Sequence, residues 1–431
     1  MERVHRSWPA WVIFVVIVPG FLIALLIGPR VPTDKQEFYC VSNIVSSSPF
    51  GLSLNCDALL HLAMTRDSGI ILREGKLRQS RPLFAVPATV LRPLFLWATD
   101  VPARIGLHPD NTPENLRWAM PDLIGKDFPA FLAYAVVSSA LLVAIFWLYL
   151  WLAGLPERAA GALFIAAVGL LLVGNDVVKA FFWSPHAQLY NILAPLIGVW
   201  AMIHPVGSWR RGAVVGFLAG VAILVYPLFL LVAACFGLRG IIDAAAERRL
   251  SPLLAGFASV GAVFVAPLAW YLFVLWLKGS FYSDTVDFNQ GVWIIASLRK
   301  GTFWADLAAP TSWLWLWFKE QAFIVGIMAS LAFVLFLASL PRQNVERSDL
   351  VVIICCLIVS ALAFVFYALA GLNVWRSAFA PIAPLVLAVG VLARAASAMA
   401  PRWALWTAAV AALIVAYGQM IYTAVKAGPY S

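Results

Sequence analysis

The sequence predicts an all-α polytopic membrane protein, a single transmembrane domain over residues 1–431. Three observations predict it. Hydrophobic residues make up 63% of the chain and charged residues only 12%, against roughly 25% charged in a soluble domain. Several apolar runs exceed the ~18 residues that a helix needs to cross a bilayer. Arginines collect at the ends of alternate runs, the pattern that orients membrane helices. A transmembrane barrel would instead alternate polar and apolar residues in segments of roughly ten. The net charge of +9 is mostly arginine at segment ends. It forms no contiguous basic face, so nucleic acid is not an expected partner.

The elements follow in order. The charged start, MERVHRSW, precedes a long apolar run that reaches Pro29-Arg30-Val31-Pro32 without a small-x-small cleavage site. It reads as a retained first helix. Spans are expected at 9–28, 129–153, 159–178, 187–203, 252–277, 321–340, 350–370, 378–394 and 403–422. The stretch 212–238 has arginines at both ends, Arg210 and Arg211 before it and Arg239 at its close. A single crossing there would reverse every later segment and put arginine-only loops outside. A hairpin of two short helices keeps the arginine pattern consistent, with Tyr226-Pro227 as its break. Gly212, Gly216 and Gly220 repeat at four-residue spacing, which permits close backbone packing. The total is about eleven membrane helices. Arg3, Arg6, Arg158, Arg248, Arg249, Arg342, Arg347, Arg394 and Arg402 fall on the cytoplasmic side with the N-terminus.

The opposite face receives loops 29–128, 179–186, 278–320 and 371–377 and the tail. The first extracytoplasmic loop is too long for a simple connection. Its apolar part, 83–98, carries Arg92, Pro87 and Pro93 and reads as an interfacial or re-entrant helix. The second large loop, 278–320, is rich in tryptophan, either as an interfacial anchor belt or as a surface for stacking on sugar or lipid. Cys235, Cys355 and Cys356 sit in apolar runs as small hydrophobes. Cys40 and Cys56 share the first loop, and on an extracytoplasmic face they can form a disulfide.

The chain lacks a phosphate-binding glycine loop, GxSxG, HExxH and CxxC. What remains is carboxylates and cations in the outer loops, densest in 52–83. Asp57 is the leading candidate for a general base acting on an acceptor hydroxyl, and Asp34 and Glu37 are its competitors. The alternative for Asp57 is a helix N-cap, a place Asn55 suits equally well. His61 lies one helical turn beyond Asp57. Arg78, Arg81 and Arg376 carry forked donors suited to phosphate oxygens. Lys179 and His186 in the second outer loop join them as candidates for phosphate. His61, Asp284, Asp287 and Trp293 are the candidates for acceptor or sugar. No metal ligand set is recognised and no cofactor is implied, although a divalent cation is compatible with this chemistry.

Three features resemble the GT-C superfamily of integral-membrane glycosyltransferases. A single N-terminal span precedes a large outer loop with an acid, Asp57. The segment from Gly216-Phe-Leu-Ala-Gly220 to Tyr226-Pro227 is similar to the family's stretch that dips in and returns. Trp375-Arg376-Ser-Ala-Phe-Ala-Pro381-Ile-Ala-Pro384 is similar to its late arginine-proline helix start. The chain departs from the family in spreading its acids over Asp34, Glu37 and Asp57 and in carrying Ser377 beside the late arginine. The resemblance implies sugar transfer from a polyprenyl-phosphate donor to a glycan, lipid or protein acceptor, outside a bacterial inner membrane. The competing expectations are a transporter or flippase of a lipid-linked glycan, an O-antigen ligase or polymerase, and a non-catalytic envelope-glycan assembly protein. A transporter would show matched broken helices in two halves, and this sequence shows one broken segment. Ligases and polymerases of that kind carry their major outer loop late in the chain.

Overall fold

The computed structural model describes residues 12, 16–26, 28, 31, 36, 41–45, 52–72, 77–104, 126–154, 156, 158–205, 207–281, 291–339, 347–371 and 375–426. In chain order, α1 (Val18–Leu26) precedes a small antiparallel pair, β1 (Val41–Val45) and β2 (Leu52–Asn55). α2 (Cys56–Arg66) continues directly from β2. Tight 3-10 turns lead to α3 (Val86–Leu91), a further 3-10 stretch (Arg92–Ala98) and α4 (Val101–Arg104). The long helices then begin with α5 (Phe128–Ala153), α6 (Ala159–Leu170), the short α7 (Asp176–Phe181) and α8 (Tyr190–Ile203). α9 (Trp209–Ile223) and α10 (Leu230–Glu247) follow, then α11 (Leu250–Ala262) and α12 (Val265–Lys278). After α13 (Trp293–Lys300) come α14 (Phe303–Ser339), α15 (Arg347–Ala370), α16 (Phe379–Met399) and α17 (Arg402–Val425).

Among the described residues, seven helical stretches are long and apolar enough to cross a membrane, and the all-α polytopic class holds. α16 is the axis of the bundle: 72% of its most apolar window is buried, against 11% for Leu250–Lys278 at the margin. α16 packs on α5, α6, α8, α14 and α15. The small β-hairpin lies outside the all-α expectation. It leads straight into Cys56, which is disulfide-bonded, while Cys235, Cys355 and Cys356 are free thiols. Cys40, the expected partner, lies outside the described residues.

The stretch 212–238 breaks where the proline stands. α9 stops at Ile223, Leu224 and Val225 turn, and a new helix starts from Pro227. The glycine repeat explains how the hairpin is held. A methyl group at Gly212, Gly216 or Gly220 would run into the carbonyl oxygens of Ala255, Ser259 and Val263 on α11. On the other side of α11, Gly240 and Gly237 of α10 meet Pro252, Gly256 and Val260. α11 is thus held between both arms at backbone contact, the approach that small residues allow.

The bundle ends differ as the arginine pattern requires. At one end Arg158 donates to the Ala400 carbonyl at 2.5 Å, Arg239 to that of Met202 at 3.1 Å, and Arg394 pairs with Asp349. At the other end the hairpin tip meets the first loop, where the Leu83 amide donates to the Leu224 carbonyl at 3.1 Å. Gly291 also donates to Ala370 there, at 3.2 Å. These bonds tie the first loop to the hairpin tip and Gly291 to the end of α15.

Two boundaries need correction. The span expected over 159–178 ends at Leu170, and a turn separates it from α7. Asn175 imposes that restart: its side chain accepts from the Val177 and Val178 amides while donating to the Leu171 and Leu172 carbonyls. The loop expected over 278–320 is in large part helix. α14 runs 37 residues and carries Trp304, Trp313, Trp315 and Trp317. Between Gly301 and Gly326 the chain has no glycine to interrupt it, and Asp306 and Lys319 had masked its helical character. The segment 83–98 packs Ala88 and Ala98 inward and exposes Val90, Leu94 and Trp97, as an interfacial piece should.

Candidate functional site

The site begins at the N-terminus of α2. Asn55 is the cap, its Oδ1 accepting from the Ala58 amide at 2.8 Å. Asp57 therefore does not serve as the cap. Its carboxylate Oδ2 accepts instead from His186 Nε2 at 3.1 Å. The pair is asymmetric: the Asp57 side chain is 36% exposed and that of His186 only 3%. An accessible carboxylate is thus oriented from behind by a sheltered imidazole. Arg66, at the other end of α2, pairs with Asp127 at 3.0 Å and fastens the helix to the start of α5.

His186 packs against Phe181, the last residue of α7, with ring centroids 4.7 Å apart. Over the same Phe181 ring stands the Arg376 guanidinium, 5.7 Å from its centroid. One aromatic ring thus touches both the imidazole that pairs with Asp57 and the late arginine. No carboxylate among the described residues pairs with Arg376.

A buried polar network lies beside it. Asn191 Nδ2 donates to the Arg376 carbonyl at 3.2 Å and to Gln188 Oε1 at 2.5 Å. Its Oδ1 accepts from the Tyr226 hydroxyl at 2.9 Å and from that of Tyr367. The two hydroxyls are 3.0 Å apart. Polar groups this deep among apolar helices are tolerated only when satisfied by one another. Arg81 lies over the Tyr226 ring, 5.5 Å from its centroid, and is itself largely buried. Burial raises the Tyr226 hydroxyl pKa above its ordinary value. The hydrogen bond with Tyr367 and the charges of Arg81 and Arg376 draw it back. Both guanidinium fields therefore reach one hydroxyl. Arg81, Tyr226 and Tyr367 open onto a cavity of about 300 Å³, otherwise apolar and walled by Leu228, Ile294 and Phe366.

The expected residues distribute as follows. Asp57, His186, Arg81 and Arg376 converge. His186 does so as the partner of Asp57, so its expected place among phosphate ligands is revised: its Nε2 is engaged by a carboxylate. Lys179 is also reassigned. Its ammonium donates to the carbonyls of Thr423 at 2.6 Å and Lys426 at 2.7 Å, at the end of α17 where helical carbonyls lack partners. His61 shares α2 with Asp57 but is buried against Phe84, with centroids 4.4 Å apart. That removes its ring from the surface where an acceptor would dock. Trp293 stacks on Phe303 and occupies the space beside Gly371, whose φ of +70° and close indole both demand glycine. Asp34, Glu37, Asp284, Asp287 and the Arg78 side chain lie outside the described residues. Asn191, Gln188, Tyr367 and Phe181 were not singled out from sequence. Gln188 and Asn191, three apart in an otherwise apolar run, were the available clue. Among the described residues, no three His, Cys, Asp or Glu side chains converge as a metal site.

Comparison of the chain with protein-family models, curated proteins and solved structures gives no match.

Chemically, the arrangement offers an oriented carboxylate, two cations spaced from it, and an apolar chamber alongside. The carboxylate can accept a proton, and the guanidiniums can hold an anion.

Proposed function

We propose that this chain is an integral-membrane glycosyltransferase of the GT-C kind. It moves a sugar from a polyprenyl-phosphate donor to an acceptor hydroxyl, on the outer face of a bacterial inner membrane. Asp57 takes the acceptor proton as the hydroxyl oxygen attacks the anomeric carbon. The bond from that carbon to the phosphate oxygen breaks, and polyprenyl phosphate leaves. Arg376 and Arg81 stabilise the charge that gathers on the leaving phosphate. His186 is a positioning residue that fixes the carboxylate's orientation.

The observation that carries this reading is that the Asp57–His186 pair and Arg376 meet at one ring, Phe181. Arg376 meets no carboxylate among the described residues, and Arg81 opens onto a largely apolar chamber; cations so placed suit a phosphate attached to a hydrocarbon chain. The test is transfer from a radiolabelled lipid-linked sugar in proteoliposomes. Asp57→Asn is expected to lower turnover by about 10³-fold, within the range for loss of a general base, with the melting temperature unchanged. Normal turnover by that variant removes Asp57 as the base. Movement of the labelled lipid across the bilayer without transfer makes the protein a transporter instead.

A further inference from the structure

A second cavity, of about 400 Å³, lies at the same end of the bundle but on different walls. It shares α7 with the candidate site. Phe181 at the C-terminal end of α7 meets His186 and Arg376, whereas Asp176 at its N-terminal end lines this second cavity. Its other walls come from α6, α14, α16 and α17, through Leu171, Ile324, Val325 and Ile382. Phe323 and Tyr422 stand exposed at its rim. All the surrounding long helices are apolar enough to lie in a bilayer, so the molecules that reach this cavity are amphiphiles.

Its charges are specific. Asp176, Glu320 and Lys426 are the acidic and basic side chains of its lining. Lys426 Nζ stands 3.5 Å from Asp176 Oδ2 and 6.0 Å from the Tyr422 ring centroid, a loose pairing that leaves donors available. Glu320 has no cationic partner among the described residues. Glu320 and its chain neighbour Lys319 are both exposed, but Lys319 is not part of the lining. The lining thus carries one acid more than base. An anionic head would meet Glu320 unfavourably, whereas a head with both signs meets complementary groups. The size falls within the range of small-ligand sites, roughly 300–1,000 Å³.

We infer that this cavity binds the headgroup of a zwitterionic aminophospholipid. The primary ammonium donates to Glu320, the phosphate accepts from Lys426, and the acyl chains leave past Ile324 and Phe323. The site is separate from the proposed sugar-transfer centre and does not rest on that assignment.

The experiment uses the full-length protein in nanodiscs of equimolar phosphatidylethanolamine, phosphatidylcholine and phosphatidylglycerol, followed by release and native mass spectrometry of the retained lipid. The wild type is expected to retain phosphatidylethanolamine about tenfold over phosphatidylcholine, whose quaternary ammonium donates no hydrogen bond. Glu320→Gln should abolish that preference, and Glu320→Lys should turn it toward phosphatidylglycerol. Arg376→Ala should leave it unchanged, which separates this site from the transfer centre. Equal phosphatidylethanolamine preference in wild type and Glu320→Gln, or loss of the preference in Arg376→Ala, overturns the inference, as does predominant retention of phosphatidylglycerol by Arg376→Ala, which lacks the anion-binding guanidinium of the transfer centre.

Discussion

The cavity between the hairpin tip and α15 presents Arg81 and two tyrosine hydroxyls, whereas the one bounded by α14, α16 and α17 presents Asp176, Glu320 and Lys426. Both open at the end of the bundle where the long loops meet, and both have apolar walls. They differ in the charged side chains they present. In the first, the Arg81 guanidinium lies beside a network of neutral oxygens and amides. In the second, a carboxylate on α14 stands apart from the ion pair that joins α7 to α17.

That contrast is open to direct attack. Arg376→Ala removes the cation beside Phe181. It should cost about 10²-fold in kcat/KM for sugar transfer, in line with the loss of one charge-stabilising donor. The same variant should leave lipid retention in the acidic cavity unchanged, and equal loss of both would merge the two regions into one. Asn191→Leu should destabilise the fold by about 2–3 kcal/mol, because the Tyr226 and Tyr367 hydroxyls lose their common acceptor inside the protein. Thermal unfolding followed by tryptophan fluorescence measures this, and kcat should fall with it as Arg376 loses its backbone anchor. Gly216→Ala should cost about 1–3 kcal/mol, since α9 and α11 must separate to admit the methyl group. It should loosen the hairpin under Arg81 and leave the acidic cavity alone, which hydrogen exchange resolves segment by segment. Lys179→Met should have the smallest effect, about 1 kcal/mol of stability, with transfer kinetics retained. A large rise in KM for the lipid donor would instead restore Lys179 to the phosphate site.

Much of this geometry was legible in the chain before any coordinates. Arginines at alternate run ends told which loops share a face, and Asp57, His186, Arg81 and Arg376 all come from loops on the same one. Tyr226-Pro227 marked the hairpin break because proline cannot donate to a helical bond. The roles of His186 and Lys179 were not legible. A side chain's charge says what it can bind, but which atoms lie within 3 Å depends on how distant segments pack. Lys179 meets carbonyls some 250 residues away at the end of α17, a contact only the bundle creates. The Asn191 network was hidden likewise, because its partners Tyr226, Tyr367 and Arg376 come from three other elements. α14 was misjudged for a different reason. Hydropathy falls wherever Asp306, Lys319 and Glu320 intrude, yet the helix runs on through these residues and through Pro310, which lacks a backbone donor.

The span of that last element has a consequence of its own. A rod of 37 residues measures about 55 Å at 1.5 Å per residue, and the oily slab it crosses is about 30 Å thick. Its upper part does not stand free: Pro310 and Leu314 are buried, and Trp315 meets Phe364 of α15. The opening turns, with Trp304 exposed, carry the rod past that contact as a short collar on the bundle.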